Sequence, residues 1–456
     1  MTPVGLPALA RHRYPTVDDL TRTARDLARR HPSRCRLRQV GESRAGEPLW
    51  LLSVGHGSRN VLVVSGAHPN EPAGGAAVAD LAYQAIRGRP SGHSEHGGRV
   101  GAAARDRRQG RDAAWHFLLC LDPDGARHTE PWTRHPGTLE RQLRHFYRPA
   151  ADQQPEWLPP PGGRAAPLPE TRALLTVLDE LRPAVQFSLH ANDVGGAWVQ
   201  LTHDLPGARA ALADAAAGLA VPLAAAPVDT LHMPGAGPGV FLMAAGGGLD
   251  ANVVHRDWLT RSTWFHPLRH GTVTAVVETP VWAVEGVADL RPTGAPGPVV
   301  GQAVGHLREQ ADRLAGLLDE ARTGLGAAPG PLLDAAAWLT QACFTNAAQW
   351  SAPPSPGSPP PAATAGGALA LRMAAQRLPL RAAAMLARAT EGHPLGPAAE
   401  TLLTRWRRSY AADFGPRWIP VRDQTALQTE FIARLARLAL DPTRRTDGST
   451  PHHRDR

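Results

Sequence analysis

The stretch "NVLVVSGAH", residues 60–68, constrains this chain more than any other. The run Val61 to Val64, stopped by Gly66, is the pattern of a strand buried on both faces, and such strands belong to sheets covered by helices. After His68 the period changes, with Val78, Leu81, Ala82, Ala85 and Ile86 on one face of a helix. The strand-to-helix step therefore carries His68 and Glu71, two groups that are costly to bury without partners.

The alternation continues along the chain. "TVDDLTRTARDLARRHP" predicts a helix capped by Thr16, with Asp19 at its third position, a stripe of Leu20, Ala24 and Leu27, and Pro32 past its end. "LWLLSVG" and "WHFLLCL" read as buried strands, the second followed by the turn signal "DPDG". A helix with Leu174, Val177, Leu178 and Leu181 inward precedes the strands "AVQFSLHA", "AWVQLTH" and "TVTAVVETP". The expected fold class is α/β, a mixed, mostly parallel buried sheet flanked by helices over residues 1–292. Residues 87–113, rich in Gly and Arg and without periodicity, read as an exposed insertion. Strand patterns then stop, and Leu307, Ala311, Leu314, Leu318 and Ala321 recur at helical spacing. An α-helical C-terminal extension is expected over 296–443, with a Pro-rich linker at 351–367 and a disordered tail at 444–456.

Composition narrows the function classes. The formal charge is +8, but every basic residue is an arginine, scattered and without an aromatic-interleaved stripe, so nothing points to nucleic acid. Cys35, Cys120 and Cys343 are too few and too far apart for a disulfide framework or a cysteine metal site, and read as buried free thiols. The first residues lack a signal-peptide apolar core, and no apolar run approaches a membrane span of about 18 residues. A cytoplasmic protein without a membrane partner is expected.

A His-x-x-Glu spacing alone says little, since His306 and Glu309 repeat it on the solvated face of an amphipathic helix. At 68–71 it has two readings: a turn in which Asn70 caps the next helix and Glu71 favours its dipole, or a pair of ligands. Two further buried strands end in polar residues, His190 and Glu278, and strand ends are where open α/β sheets collect functional groups. Two imidazoles and a carboxylate make a catalytic zinc set, and a further carboxylate outside it suits a general base.

"GAHPNE", then "DPDG", then a strand ending in His and a last strand ending in Glu resembles the zinc carboxypeptidase family, peptidase family M14. The opening "YPTVDDL…LWLLSVG" is similar to that family's first helix, strand and Gly-containing turn. The resemblance covers roughly residues 13–290. It implies one Zn²⁺ per chain held by His68, Glu71 and His190, and Glu278 as the base. It also implies an arginine against the substrate carbonyl, with Arg127 and Arg134 as candidates. The family clamps a terminal carboxylate with adjacent Asn and Arg; this chain offers Arg148, preceded by Tyr147. The family's mobile tyrosine has no counterpart, and its stretch offers His255, Trp258, Trp264 and His266 instead. "HANDVGGAWVQLT", after the third ligand, departs from the family; its glycines read either as a close backbone approach to a ligand or as a turn into the next strand.

The implied activity is hydrolysis of an amide next to a free carboxylate in a small peptide or amino-acid conjugate. One alternative is an N-acyl amino acid deacylase of the aspartoacylase and succinylglutamate desuccinylase type, whose Arg, Asp, Leu, Asn, Arg signature is missing here. Another is a catalytically silent scaffold whose C-terminal helices bind a protein partner.

Overall fold

A computed structural model describes residues 12–88, 113–160, 162–231, 233–243, 260–325, 330–352 and 362–441. Nearly all of the expected 87–113 insertion, most of the Pro-rich linker, the tail, His255 and Trp258 lie outside the described residues.

Helix α1 (Val17–Arg30) opens with the expected capping box, Thr16 and Asp19 each bonding the other's backbone N–H. Strands β1 (Cys35–Glu42), β2 (Pro48–Val54) and β3 (Arg59–Val64) lead into α2 (Ala73–Ile86), then β4 (Ala113–Leu118), α3 (Pro123–Thr133) and α4 (Leu139–Arg144). Helix α5 (Pro169–Leu181), β5 (Val185–Gly195), β6 (Trp198–Leu201), α6 (Ala208–Ala216), β7 (Val240–Leu242) and β8 (Val273–Ala283) follow. The chain continues through α7 (Pro296–Leu325), α8 (Pro331–Ser351), α9 (Ala365–Ala389), α10 (Gly396–Phe414), the short β9 (Arg417–Trp418) and α11 (Val421–Leu440).

The strands form one mixed sheet in the order β1-β2-β4-β3-β5-β8-β6-β7, with β9 on the end of β8. Its centre, β4-β3-β5-β8, is parallel and brings together His68, just past the end of β3, with His190 and Glu278, which stand in the middle of β5 and β8 rather than at their ends as expected, because both strands run on, to Gly195 and Ala283. The register of β5 with β8 sets His190 directly beside Glu278. Period-2 alternation divides β3 between two cores: Val61 and Val63 face one set of helices, while Leu62 and Val64 meet Leu174, Val177 and Leu178 of α5.

The helical extension is not one unit. Helix α11 returns to the sheet and shares a core with α2, α6 and the central strands through Leu427, Phe431, Ile432, Leu435 and Ala436. The expected boundary at residue 292 therefore does not follow the packing: α7 to α10 are an addition inserted between β8 and a helix of the α/β layer. The addition docks through its own apolar cluster, which joins Met373, Leu380 and Leu386 of α9 to Phe146, Val281 and Trp282.

Candidate metal centre and its pocket

Close packing brings the loop after β3 against β5. Gly74, in the first turn of α2, lies where a Cβ would sit 2.9 Å from the Cβ of Leu189 and 3.1 Å from that of Ser65. The "DPDG" segment opens α3, with the Asp122 carboxylate accepting from the Gly125 N–H at 2.9 Å, and a Cβ on Gly125 would fall 2.4 Å from Pro69. Thr129 of the same helix donates to the Pro69 carbonyl at 2.9 Å. Asn70 does not cap α2, whose N-cap is Pro72 without a side-chain bond; it faces Asp193 and Arg148 instead.

The outcome is a triangle of donors. The Nδ1 atoms of His68 and His190 lie 3.0 Å apart, and Oε2 of Glu71 is 3.0 Å from the first and 2.9 Å from the second. All three side chains are buried, and among the described residues they form a group able to hold a metal ion. Beside them Glu278 lines the same cavity, with no hydrogen-bond or ion-pair partner among the described residues.

Behind the triangle stands Glu156, which sequence reasoning missed. Its carboxylate is fully buried, accepts from Ser188 at 2.5 Å and from the Trp264 indole at 2.8 Å, and lies 3.1 Å from His190 Nε2 and 3.8 Å from His68 Nε2. It faces the Nε2 side of the imidazoles, closest to His190 and opposite the Nδ1 atoms that meet Glu71, where the outer carboxylate of a metal-binding histidine stands. Its sequence setting, "QPEWLPPP", carries no periodic or motif signal.

Electrostatics follow from burial and from this carboxylate surplus. Burial and the Arg148 charge push His68 down to about 4. Burial opposes charge on His190 as well, but Glu156 and Glu71 outweigh it and hold that imidazole well above its ordinary value. Burial would raise Glu71, yet His68 and Arg148 keep it ionised well below the usual range. Glu278, half-buried in the cavity wall, is pushed up to about 8 by desolvation and by repulsion from Glu71.

The arginines are placed differently from expectation. Arg127 is bound outside the pocket by Asp18, Glu47 and Glu130, and Arg134 by Glu130, because both stand on the outer side of α3. Neither lines the cavity. Arg148 does, but it faces the donor triangle, 2.6 Å from Glu71 Oε1 and 3.2 Å from His68 Nε2. Tyr147 does not stand in for the missing Asn: its ring packs against His128 at 4.4 Å, away from the cavity. In the stretch before β8, Trp264 reaches the cavity and meets the His190 ring edge-on at 5.7 Å, whereas His266 pairs with Asp179. The glycines after His190 serve packing, since a Cβ on Gly196 would lie 2.8 Å from Pro222 O and Ala224 N. His306 and Glu309 lie on α7 as a solvated face, Glu309 pairing with Arg313.

A family model described as zinc carboxypeptidase, Peptidase_M14, matches residues 20–195. That segment is similar to the zinc carboxypeptidase family. It contains His68, Glu71 and His190, while Glu278 and all of α7 to α11 lie beyond it. Among solved structures, the metallo-carboxypeptidase from Burkholderia cenocepacia is similar at 16% identity over 57% of this chain and 60% of that one, with a TM-score of 0.35. The carboxypeptidase A from Helicoverpa armigera is similar at 14% identity over 59% of this chain and 65% of that one, with a TM-score of 0.37. The chain thus spans less than two thirds of either protein. No curated protein sequence matches it.

The zinc that the family implies fits the residues present. A tetrahedral ion bound at about 2.0–2.1 Å needs donors roughly 3.3 Å apart, slightly wider than the triangle here, and the His₂Glu set is a zinc set. The electrostatics agree: the carboxylates of Glu71 and Glu156 flank the two imidazoles, at 2.9 and 3.1 Å from His190. Among the described residues no helix is long and apolar enough to cross a membrane.

Proposed function

We propose that this protein is a zinc-dependent hydrolase of carboxypeptidase type, cleaving an amide bond next to a free carboxylate in a small peptide or amino-acid conjugate. One observation carries the reading: three buried donors converge, and an unpartnered carboxylate, Glu278, stands beside one of them in register on the same cavity. A protein without chemistry has no physical use for such an expensive set on neighbouring central strands.

The residues divide the work. His68, Glu71 and His190 hold the ion, and Glu156 fixes the imidazoles. Bound there, zinc supplies Lewis acidity that lowers the pKa of water and polarises a carbonyl. Glu278 takes the proton from water as its oxygen bonds to the carbonyl carbon, and returns it to the nitrogen as the C–N bond breaks. Its raised proton affinity suits both transfers near neutral pH. Arg148, the guanidinium next to the ligands, is placed to meet negative charge developing on the carbonyl oxygen, the role expected of Arg127 or Arg134.

The test is product analysis by mass spectrometry on free-acid peptides, their C-terminal amides and N-acyl amino acids, with zinc-loaded protein and Glu278→Gln. Loss of the last residue from free-acid peptides, absent in the variant, supports the reading. Turnover of N-acyl amino acids alone would replace it with the deacylase reading, and turnover of none would remove the hydrolase.

A further inference from the structure

The cavity is half built by the added helices. Its volume is about 270 Å³, near the small end of ligand cavities, which run from about 300 to 1,000 Å³. The metal triangle, Glu278, Trp198 and Trp264 form one side, and α8 and α9 the other. Positions 374, 377, 378 and 381 of α9 share one helical face, and it is this face that enters the cavity. From α8, Trp338 and Trp350 add aromatic surface.

Three arginines line the cavity: Arg148, Arg377 and Arg381. Arg148 is held by Glu71 and Gln154, and Arg381 by the buried Asp193 at 2.6 Å. Arg377 has no such partner: its Nε is buried without a hydrogen bond, and none of its other atoms makes an ion pair among the described residues. Two more buried polar atoms on the cavity wall lack partners, Oδ1 of Asn192 on β5 and Oε1 of Gln200 on β6. Arg377 and Asn192 also both border a small adjoining recess that none of the metal-binding residues touches. A buried donor and buried acceptors left unmet in one cavity describe a ligand that supplies both.

We propose that Arg377, carried by the added helices, is the carboxylate receptor of this site, with Asn192 accepting a substrate N–H and the tryptophans holding an apolar side chain. The proposal rests on the hydrolase reading for its substrate, a free-acid peptide or N-acyl amino acid with an aromatic or large apolar terminal residue. It differs from the expectation from sequence, which gave this task to Arg148. A planar, unpartnered guanidinium suits bidentate carboxylate recognition. Asp229 lines the same cavity and recess and disfavours any negative charge that Arg377 does not meet.

Binding tests this without turnover. Titration calorimetry on the zinc-loaded full chain compares 3-phenylpropanoate with 3-phenylpropanamide, then repeats the pair on chelator-treated protein. The expected result is a preference for the carboxylate on the order of tenfold or more, present with and without metal, lost in Arg377→Gln, partly kept in Arg377→Lys and kept in Arg148→Gln. No preference in the parent protein overturns the proposal. So does a preference that survives Arg377→Gln, or one that disappears with the metal. Thermal unfolding of each variant confirms that the helices remain docked. If peptides are not cleaved but the Arg377-dependent preference stands, the hydrolase reading fails and the carboxylate site does not.

Discussion

The two walls of the cavity were unequally visible in the sequence. The wall built on the sheet announces itself, because an apolar run that reaches His68, His190 or Glu278 breaks its own pattern within a few residues. The helical wall gives no such signal. On α9 Arg377 is one of many arginines, and only the fold shows that α9 turns it inward.

The largest effect should separate the walls outright. Glu278→Gln should lower kcat by roughly a hundredfold or more, the scale of general acid–base catalysis, with zinc content by mass spectrometry unchanged; Trp338→Ala should mainly raise KM. Equal kcat losses from the two would end the division of labour.

Next is Glu156→Gln, which touches the ion only through the imidazoles. Zinc affinity measured by competition with a chelating dye should fall about 10–100-fold, with the fold intact by circular dichroism. An unchanged affinity would make Glu156 a packing residue.

On the stability side, Phe431 of α11 is fully buried in the sheet's core. Phe431→Ala should cost about 3–5 kcal/mol in denaturant unfolding. An exposed pair on the added helices, such as Arg313 with Glu309, should cost about 0–1 kcal/mol when broken.

A subtler test concerns pH in the metal-free protein. Because the folded state raises Glu278 from 4.5 to about 8, it binds more protons than the unfolded state between those values. This group's contribution is therefore most favourable below pH 4.5 and is lost as pH rises toward 8. The melting temperature of metal-free protein should fall relative to that of Glu278→Gln across this window. Parallel curves would show that the carboxylate is not held in that environment.

The smallest expected effect is also informative. Arg127→Ala removes an arginine bound to the exposed Asp18, the half-buried Glu47 and the buried Glu130, all outside the cavity, so kcat/KM should stay within about twofold. A larger loss in kcat would return Arg127 to the active site.

These contrasts show where the sequence was legible. The capping box at Thr16 and Asp19, the apolar run of β3 and the helix carrying Leu174, Val177 and Leu178 are local regularities, and the structure has each of them. The donor triangle follows from the parallel pairing of β3 with β5, a topological consequence of strands alternating with helices. Glu156 escaped because its loop is irregular, and its task depends on Ser188, Trp264 and His190, which only tertiary packing gathers. Arg127 and Arg134 misled for the opposite reason: nearness in sequence to "DPDG" says nothing about which side of α3 a residue occupies. Helix α11 looked like its helical neighbours because amphipathic spacing does not say which surface the stripe will meet.

The return of α11 also sets an order of events during synthesis. The Gln428 side chain donates to the His190 carbonyl at 2.9 Å, and the Tyr14 hydroxyl donates to Gln424 at 2.9 Å, so α11 ties the segment before α1 to the strand that carries His190. A nascent chain that has emerged from the ribosome only as far as α10 still exposes the apolar sheet surface that Phe431 and Ile432 will cover. Such a surface invites aggregation. Stable packing of the sheet that carries His68 and His190 must therefore await α11, and ribosome-bound chains halted before residue 421 should depend on chaperones until α11 is released.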